Sequence, residues 1–284
     1  MYTATRRLPL SSALTLSLAA LSPLLQAQPL PTAAAVPGGV AHIPVPTQYA
    51  EFDGRRVLVV SSQNTPYADQ APWVALVGIP LATKPGQLQL ALPKDNGQQI
   101  SFSVTDKRYR EQRITIKNTR KVNPEQRDME RIGRERSEML GALGNWRQTL
   151  QPVTRFELPA QGPFSSPFGL KRFFNDQPRA PHSGLDIAAP KDAPITAPAP
   201  GVVTAAGDYF FNGRNLILDH GHGLVTMYSH MERIDVKVGE QVETGTQLGT
   251  VGSSGRATGP HLHWTVSLNN VRVDPMLFID APEQ

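Results

Sequence analysis

Short runs of β-branched and apolar residues recur between Val40 and Lys117: Arg-Val-Leu-Val-Val at 56–60, Trp-Val-Ala-Leu-Val-Gly-Ile at 73–79, Gln-Leu-Gln-Leu-Ala-Leu at 87–92, Ile-Ser-Phe-Ser-Val at 100–104 and Gln-Arg-Ile-Thr-Ile at 112–116. Proline and glycine turns separate them, a pattern that predicts a small β-sandwich. From Pro124 to about Leu150 the period changes. Met129, Ile132, Met139, Leu143, Trp146 and Leu150 recur at intervals of mostly three or four residues among Glu125, Arg127, Asp128, Glu130, Arg131 and further charges. That spacing predicts a helix with one apolar stripe, packed on a flanking domain, with Asn123 ahead of Pro124 as its N-cap. Period two returns in His-Leu-His-Trp-Thr-Val-Ser-Leu at 261–268, which reads as a strand.

The first residues follow none of these patterns. Arg6 and Arg7 precede an apolar stretch from Leu8 to Leu25, and Leu-Gln-Ala stands before Gln28. This is the tripartite form of a secretory signal, with cleavage expected after Ala27. Pro9, Pro23 and several serines shorten the apolar run below a comfortable membrane span, so export is expected and a lasting membrane anchor is not. The chain has 284 residues, enough for two domains and a connector, and no cysteine. Disulfides and a lipid-modified cysteine at the cleavage point are therefore excluded. Losing Arg6 and Arg7 lowers the formal charge from +4 to +2, too small an excess to argue for nucleic acid.

Chemistry concentrates near the C-terminus. His182 and Asp186 lie four apart in Pro-His-Ser-Gly-Leu-Asp, where Pro181 and Gly184 disfavour a helix and a turn leading into a short strand is expected. His261 and His263 lie two apart on the predicted strand, so both imidazoles share a face. Three nitrogen or carboxylate ligands with one open position suit a metal that activates water. His182, Asp186 and one of the two strand histidines can supply them; the other, and His230 in Met-Tyr-Ser-His-Met, can orient water or stabilise an oxyanion.

The segments His-Ser-Gly-Leu-Asp, Thr-Met-Tyr-Ser-His-Met and Thr-Gly-Pro-His-Leu-His-Trp resemble the three signatures of the lysostaphin/LytM-type zinc metallopeptidases. Gly-Val-Val at 201–203, Lys-Val-Gly-Glu-Gln-Val at 237–242 and Gly-Thr-Gln-Leu-Gly-Thr-Val-Gly at 245–252 are similar to that family's strand and turn pattern. The likeness runs from about Phe164 to Pro275. It implies the duplicated hybrid motif fold, one zinc ion per chain held by His182, Asp186 and His263, and His230 with His261 as the catalytic pair. It also implies an endopeptidase acting on peptidoglycan stem peptides or cross-links. Lys191-Asp192 stands where the family often has a glycine turn, and Ala257 where it often has serine; neither touches the implied ligands. Some relatives have lost their ligands and act as regulators that bind wall or activate an amidase, and this is the alternative function.

Other histidines are assigned differently. His220 and His222, in Leu-Asp-His-Gly-His-Gly, are not expected to be ligands, because turn histidines are commonly exposed, although His220 is allowed a place in the cleft wall. His42 is expected at the surface. The Gly-Ser-Ser-Gly-Arg-Ala-Thr-Gly turn at 252–259 lacks the Lys-Ser/Thr ending of a phosphate loop, and no Gly-x-Ser-x-Gly elbow supports a serine hydrolase.

The expected organisation is mainly β: a signal peptide at 1–27, a β-sandwich accessory domain at 28–120, a charged helical linker at 121–152 and an antiparallel β metallopeptidase domain with an open groove at 153–284. The sandwich sequence holds no cluster of His, Asp or Glu, so binding, positioning or inhibition is expected of it, with a wall hydrolase or envelope protein as the kind of partner it would meet. Export to the periplasm, or secretion beyond it, is the expected location.

Overall fold

Alternation of side chains builds the first unit. Along Gly86–Leu92, Leu90 and Leu92 are buried while Gln87 and Gln89 face solvent, where their amides donate to Ser103 and Ser101 on the neighbouring strand Gln98–Val104. This hairpin, with the short strands Glu51–Phe52 and Arg55–Arg56, makes a four-stranded sheet. Val40–Val45, Trp73–Gly78 and Leu58–Ser61 make a three-stranded sheet facing it, and Ile43, Val45, Phe52, Val77, Leu90 and Leu92 fill the space between. The sandwich is thus present in this computed structural model, which describes residues 29–280. The expected signal segment, residues 1–27, lies outside the described residues.

Trp73–Gly78 does not alternate, and the structure shows why. The face of its sheet turned away from the sandwich carries Val40, Leu58, Val74 and Leu76, which share a second core with Trp264, Val266, Leu268 and Val273 from the C-terminal half. A strand covered on both faces is apolar throughout. The approach is close: a Cβ on Gly78 would lie 2.8 Å from the Leu268 carbonyl oxygen.

The run at 112–116 departs from expectation. Its strand, Glu111–Ile114, is not in the sandwich but pairs in parallel with Lys171–Phe174. Ile114 and Ile116 there pack with Phe174 and Val122 in a small apolar cluster of their own.

The helix is shorter than its stripe, spanning Gln126–Leu143. Its N-cap is Glu125, in a reciprocal capping box with Asp128, and not Asn123. The Asn123 side chain is engaged elsewhere, accepting a hydrogen bond from Arg179. Gly144 ends the helix, so Trp146 and Leu150 fall beyond it. Met139 and Leu143 pack against Ala205, Ile217, Val225 and Met227, seating the helix on one face of the large sheet.

That sheet has ten strands. Its main path runs Gln241–Val242, Gly201–Tyr209, Gly213–Gly221, Leu224–Ile234, Leu262–Leu268, Leu185–Ile187 and Phe164–Ser166, paired antiparallel throughout. Among the described residues no helix is long and apolar enough to cross a membrane.

Candidate metal centre

The sheet itself brings the site together. Leu262–Leu268 lies between Leu224–Ile234 and Leu185–Ile187, and His263 stands opposite Ser229 on one side and Asp186 on the other. Residues opposite one another across a ladder share a face, so Asp186 meets His263 directly. His182 comes from the irregular stretch before Leu185, where its N–H donates to the Leu170 carbonyl and its carbonyl accepts from Gly169. Gly184 lets that stretch press against the strand, since a Cβ there would lie 2.4 Å from the Trp264 carbonyl oxygen and 2.8 Å from the His263 ring.

Three donor atoms from His182, Asp186 and His263 converge on one point. His182 Nε2 is 2.9 Å from Asp186 Oδ1 and 3.0 Å from His263 Nδ1, and His263 Nδ1 is 2.7 Å from the same oxygen. Tautomers sharpen the picture. His182 Nδ1 lies 2.7 Å from the Pro167 carbonyl oxygen, which only accepts, so Nδ1 carries a proton and Nε2 is the ring nitrogen turned toward Asp186 and His263. Thr265 Oγ1, 3.2 Å from His263 Nε2, can accept from that nitrogen and free His263 Nδ1 in the same way. One proton cannot serve two nitrogens and a carboxylate at once, whereas a cation satisfies all three. The donor set therefore fits a divalent metal with nitrogen and oxygen preference.

His230 and His261 stand beside this trio. Ser229 and His230 together face Asn215, a β-bulge in Leu224–Ile234, and His230 takes φ 65°, a left-handed conformation uncommon outside glycine. The bulge re-aims the imidazole, and its centroid lies 4.8 Å from that of His261 and 6.1 Å from that of His263. His230 Nδ1 donates to the Ser254 carbonyl and His261 Nδ1 to the Gly259 carbonyl, leaving Nε2 of each as an acceptor. His261 Nε2 is 4.0 Å from Asp186 Oδ1.

Burial sets the protonation states. It pushes His263 down to about 4 and His230 down to about 3, so both rings are neutral near pH 7. Burial pushes the Asp186 carboxyl up, but hydrogen bonds to His182 and His263 outweigh it and hold the group well below the usual carboxylate range. Arg172, which the sequence reading missed, donates from Nη2 to Asp186 Oδ2 at 3.0 Å and from Nε to Gln112 Oε1. Gln112 in turn donates to Ser166. A cavity of about 670 Å³ opens over the centre, lined by all five residues of the site together with Arg172, Gln112 and the 256–260 turn.

The remaining histidines lie elsewhere. His220 is neither exposed nor in the cleft wall; it is buried, with Nδ1 on the Pro200 carbonyl and Nε2 beside Thr226 Oγ1. His222 contacts the Thr149 backbone. His42 is not a surface group but a half-buried one, its ring 5.6 Å from that of Tyr67, and burial pushes it down to about 4.

Comparison with known proteins agrees with this geometry. The model of Peptidase family M23 matches residues 180–275, and that of the Peptidase family M23 N-terminal domain matches residues 33–107. The peptidoglycan DD-endopeptidase ShyC of Vibrio cholerae is 40% identical over 94 residues, 33% of this chain and 22% of that protein. The DD-carboxypeptidase/endopeptidase Mpg of Neisseria meningitidis is 38% identical over 120 residues, 42% of this chain and 28% of that protein. The chain thus spans under a third of the length of these relatives. A solved Pseudomonas aeruginosa structure assigned to peptidase M23 superposes with a TM-score of 0.71 at 42% identity, covering 88% of this chain and 96% of the other. With that identity along nearly the full length of both chains, this protein belongs to peptidase family M23.

Proposed function

We propose that this chain is an exported zinc metalloendopeptidase that hydrolyses peptide bonds in peptidoglycan stem peptides or cross-links. The observation that carries it is the meeting of His182 Nε2, Asp186 Oδ1 and His263 Nδ1 within 3.0 Å of one another beside a cavity. These three would hold the ion. Zinc bound there supplies Lewis acidity, which polarises a carbonyl and lowers the pKa of a coordinated water. Export follows from the substrate, which lies outside the cytoplasmic membrane; the periplasm is the favoured location.

The chain's own residues do the proton work. His230 and His261 each keep Nδ1 on a backbone carbonyl and present a basic Nε2 to the cavity. One Nε2 takes the proton of the attacking water; the imidazolium so formed donates to the developing oxyanion or to the leaving amine. Arg172 holds Asp186 in orientation and balances its charge. The descriptions of ShyC and Mpg support a bond between D-configured centres as the target. A non-catalytic regulator needs no such complete donor set, so catalysis is preferred.

His263→Ala tests this. The variant is expected to lose bound zinc and to abolish release of shortened muropeptides from purified sacculi. Unchanged digestion would remove His263 from the metal shell, and a full chain that stays inert when supplied with zinc would favour the regulator.

A further inference from the structure

Beyond the metal-facing side chains the cavity is basic. Arg172, Arg179, Arg256 and Arg272 line it, and Asp186, already matched by Arg172, is the one carboxylate among its described lining residues. Arg179 spends its donors on neutral acceptors at Val122, Asn123, Gln177 and Pro178. Arg256 has fewer partners. Its Nη1 reaches the Lys121 carbonyl oxygen at 3.3 Å, and none of its nitrogens lies within 4.0 Å of a carboxylate among the described residues.

Two rings fix this guanidinium. It lies 4.8 Å from the Phe174 centroid and 4.5 Å from the Phe211 centroid. Burial, then the charges of Arg172 and Arg179, push the group down to about 10, so it stays charged at neutral pH without a counter-ion. A desolvated cation of this kind is costly unless an anion joins it, and a guanidinium held in one orientation matches the two oxygens of a carboxylate. The anion would lie close to the reaction. The Arg172 and Arg256 guanidinium groups are 5.9 and 4.8 Å from the same Phe174 ring, and Arg172 is bonded to Asp186.

We propose that Arg256, framed by Phe174 and Phe211, recognises a free carboxylate on the substrate within a few residues of the scissile amide. It makes the cavity selective for acidic peptides over amidated ones. This rests on the peptidase function proposed above, and binding separates the two.

The test uses the full chain loaded with zinc and purified cross-linked muropeptide dimers, either native or with their carboxylates converted to primary amides. The readout is the ratio of kcat/KM for native over amidated dimer, which a general loss of structure leaves unmoved. Wild type is expected to prefer the native dimer by about tenfold or more. Arg256→Gln brings the ratio to within about twofold of unity, and Arg256→Lys falls between, keeping the charge but losing the fork. A wild-type ratio near one, or an unchanged ratio in Arg256→Gln, overturns the proposal. If wild type cleaves neither dimer, the peptidase function fails, and calorimetric binding of the same pair decides: tighter binding of native dimer that is lost in Arg256→Gln upholds the carboxylate site, and equal binding of both dimers refutes it.

Discussion

Gly184 shows how much of the site depends on a residue without a side chain. A Cβ there would sit 2.4 Å from the Trp264 carbonyl oxygen and 2.8 Å from the His263 ring, contacts that real Cβ atoms do not make. Gly184→Ala must push the His182 stretch away from His263 and open the donor triangle. We expect zinc per chain after dialysis to fall well below one equivalent, with a stability loss of about 1–3 kcal/mol from overpacking. Full metal content in the variant would show that the close approach is dispensable. At this scale the sequence was most readable for residues inside compact motifs: His182, Asp186, His230, His261 and His263 all reach the same cavity. Thr265, beside His263 Nε2, was missed although a signal for it existed, since it follows His263 by two on a strand and so shares its face. Arg172 and Arg256 were not. Each sits in a segment without periodicity toward the site, and their roles arise from contacts across 14 residues to Asp186 and 135 residues to Lys121.

At the scale of elements, local pattern determined most strands but not their partners. The run at 112–116 has the composition of a sandwich strand, yet it pairs with Lys171–Phe174 because Phe174 and Val122 offer its isoleucines an apolar seat. The helix stops at Gly144 although its apolar spacing continues, and Trp146 beyond it still packs, its ring 4.4 Å from the Arg56 guanidinium and 5.8 Å from the His222 ring, so the stripe outlasts the helix that the spacing implied. His220 is the sharpest case, since its setting just before Gly221 and Gly223 reads in sequence as an exposed turn. It closes the strand Gly213–Gly221 in the middle of the large sheet, bonded to Pro200 and Thr226 on either side. Burial pushes its pKa from 6.5 down to about 4, so the unfolded chain takes up the proton first as the pH falls. The stability it contributes is complete above 6.5 and declines toward 4, with a slope of up to about 1.4 kcal/mol per pH unit. His220→Gln removes the titration. Comparing melting temperatures at about pH 7.5 and about pH 5, the acid-induced drop should be smaller in the variant than in wild type. Equal drops would mean that folding leaves the proton affinity of His220 unchanged.

The whole molecule is tied together where the sandwich meets the large sheet. Val40, Leu58, Val74 and Leu76 belong to the same core as Trp264, Val266, Leu268 and Val273, so neither half buries its apolar surface alone. Asn269 spans the junction with a side chain that bonds to the sandwich backbone. Asn269, with φ 57° at the turn after Leu262–Leu268, accepts from the Leu58 N–H at 3.0 Å and donates to the Leu76 carbonyl at 2.9 Å. The first contact bridges 211 residues and the second 193, and both are buried. A core shared across such separations cannot come apart in steps without exposing leucine and tryptophan surface, so both halves should unfold in one transition. Asn269→Ala removes both bonds and strands a buried N–H and a buried carbonyl, each costing about 1–3 kcal/mol. At roughly 2–4 °C per kcal/mol for a chain of this size, the melting temperature should fall by several degrees or more. Scanning calorimetry separates the possibilities. A single lowered peak whose van't Hoff and calorimetric enthalpies agree is the expected result, whereas two resolved peaks in wild type would show that the sandwich and the metal-bearing sheet are held by independent cores.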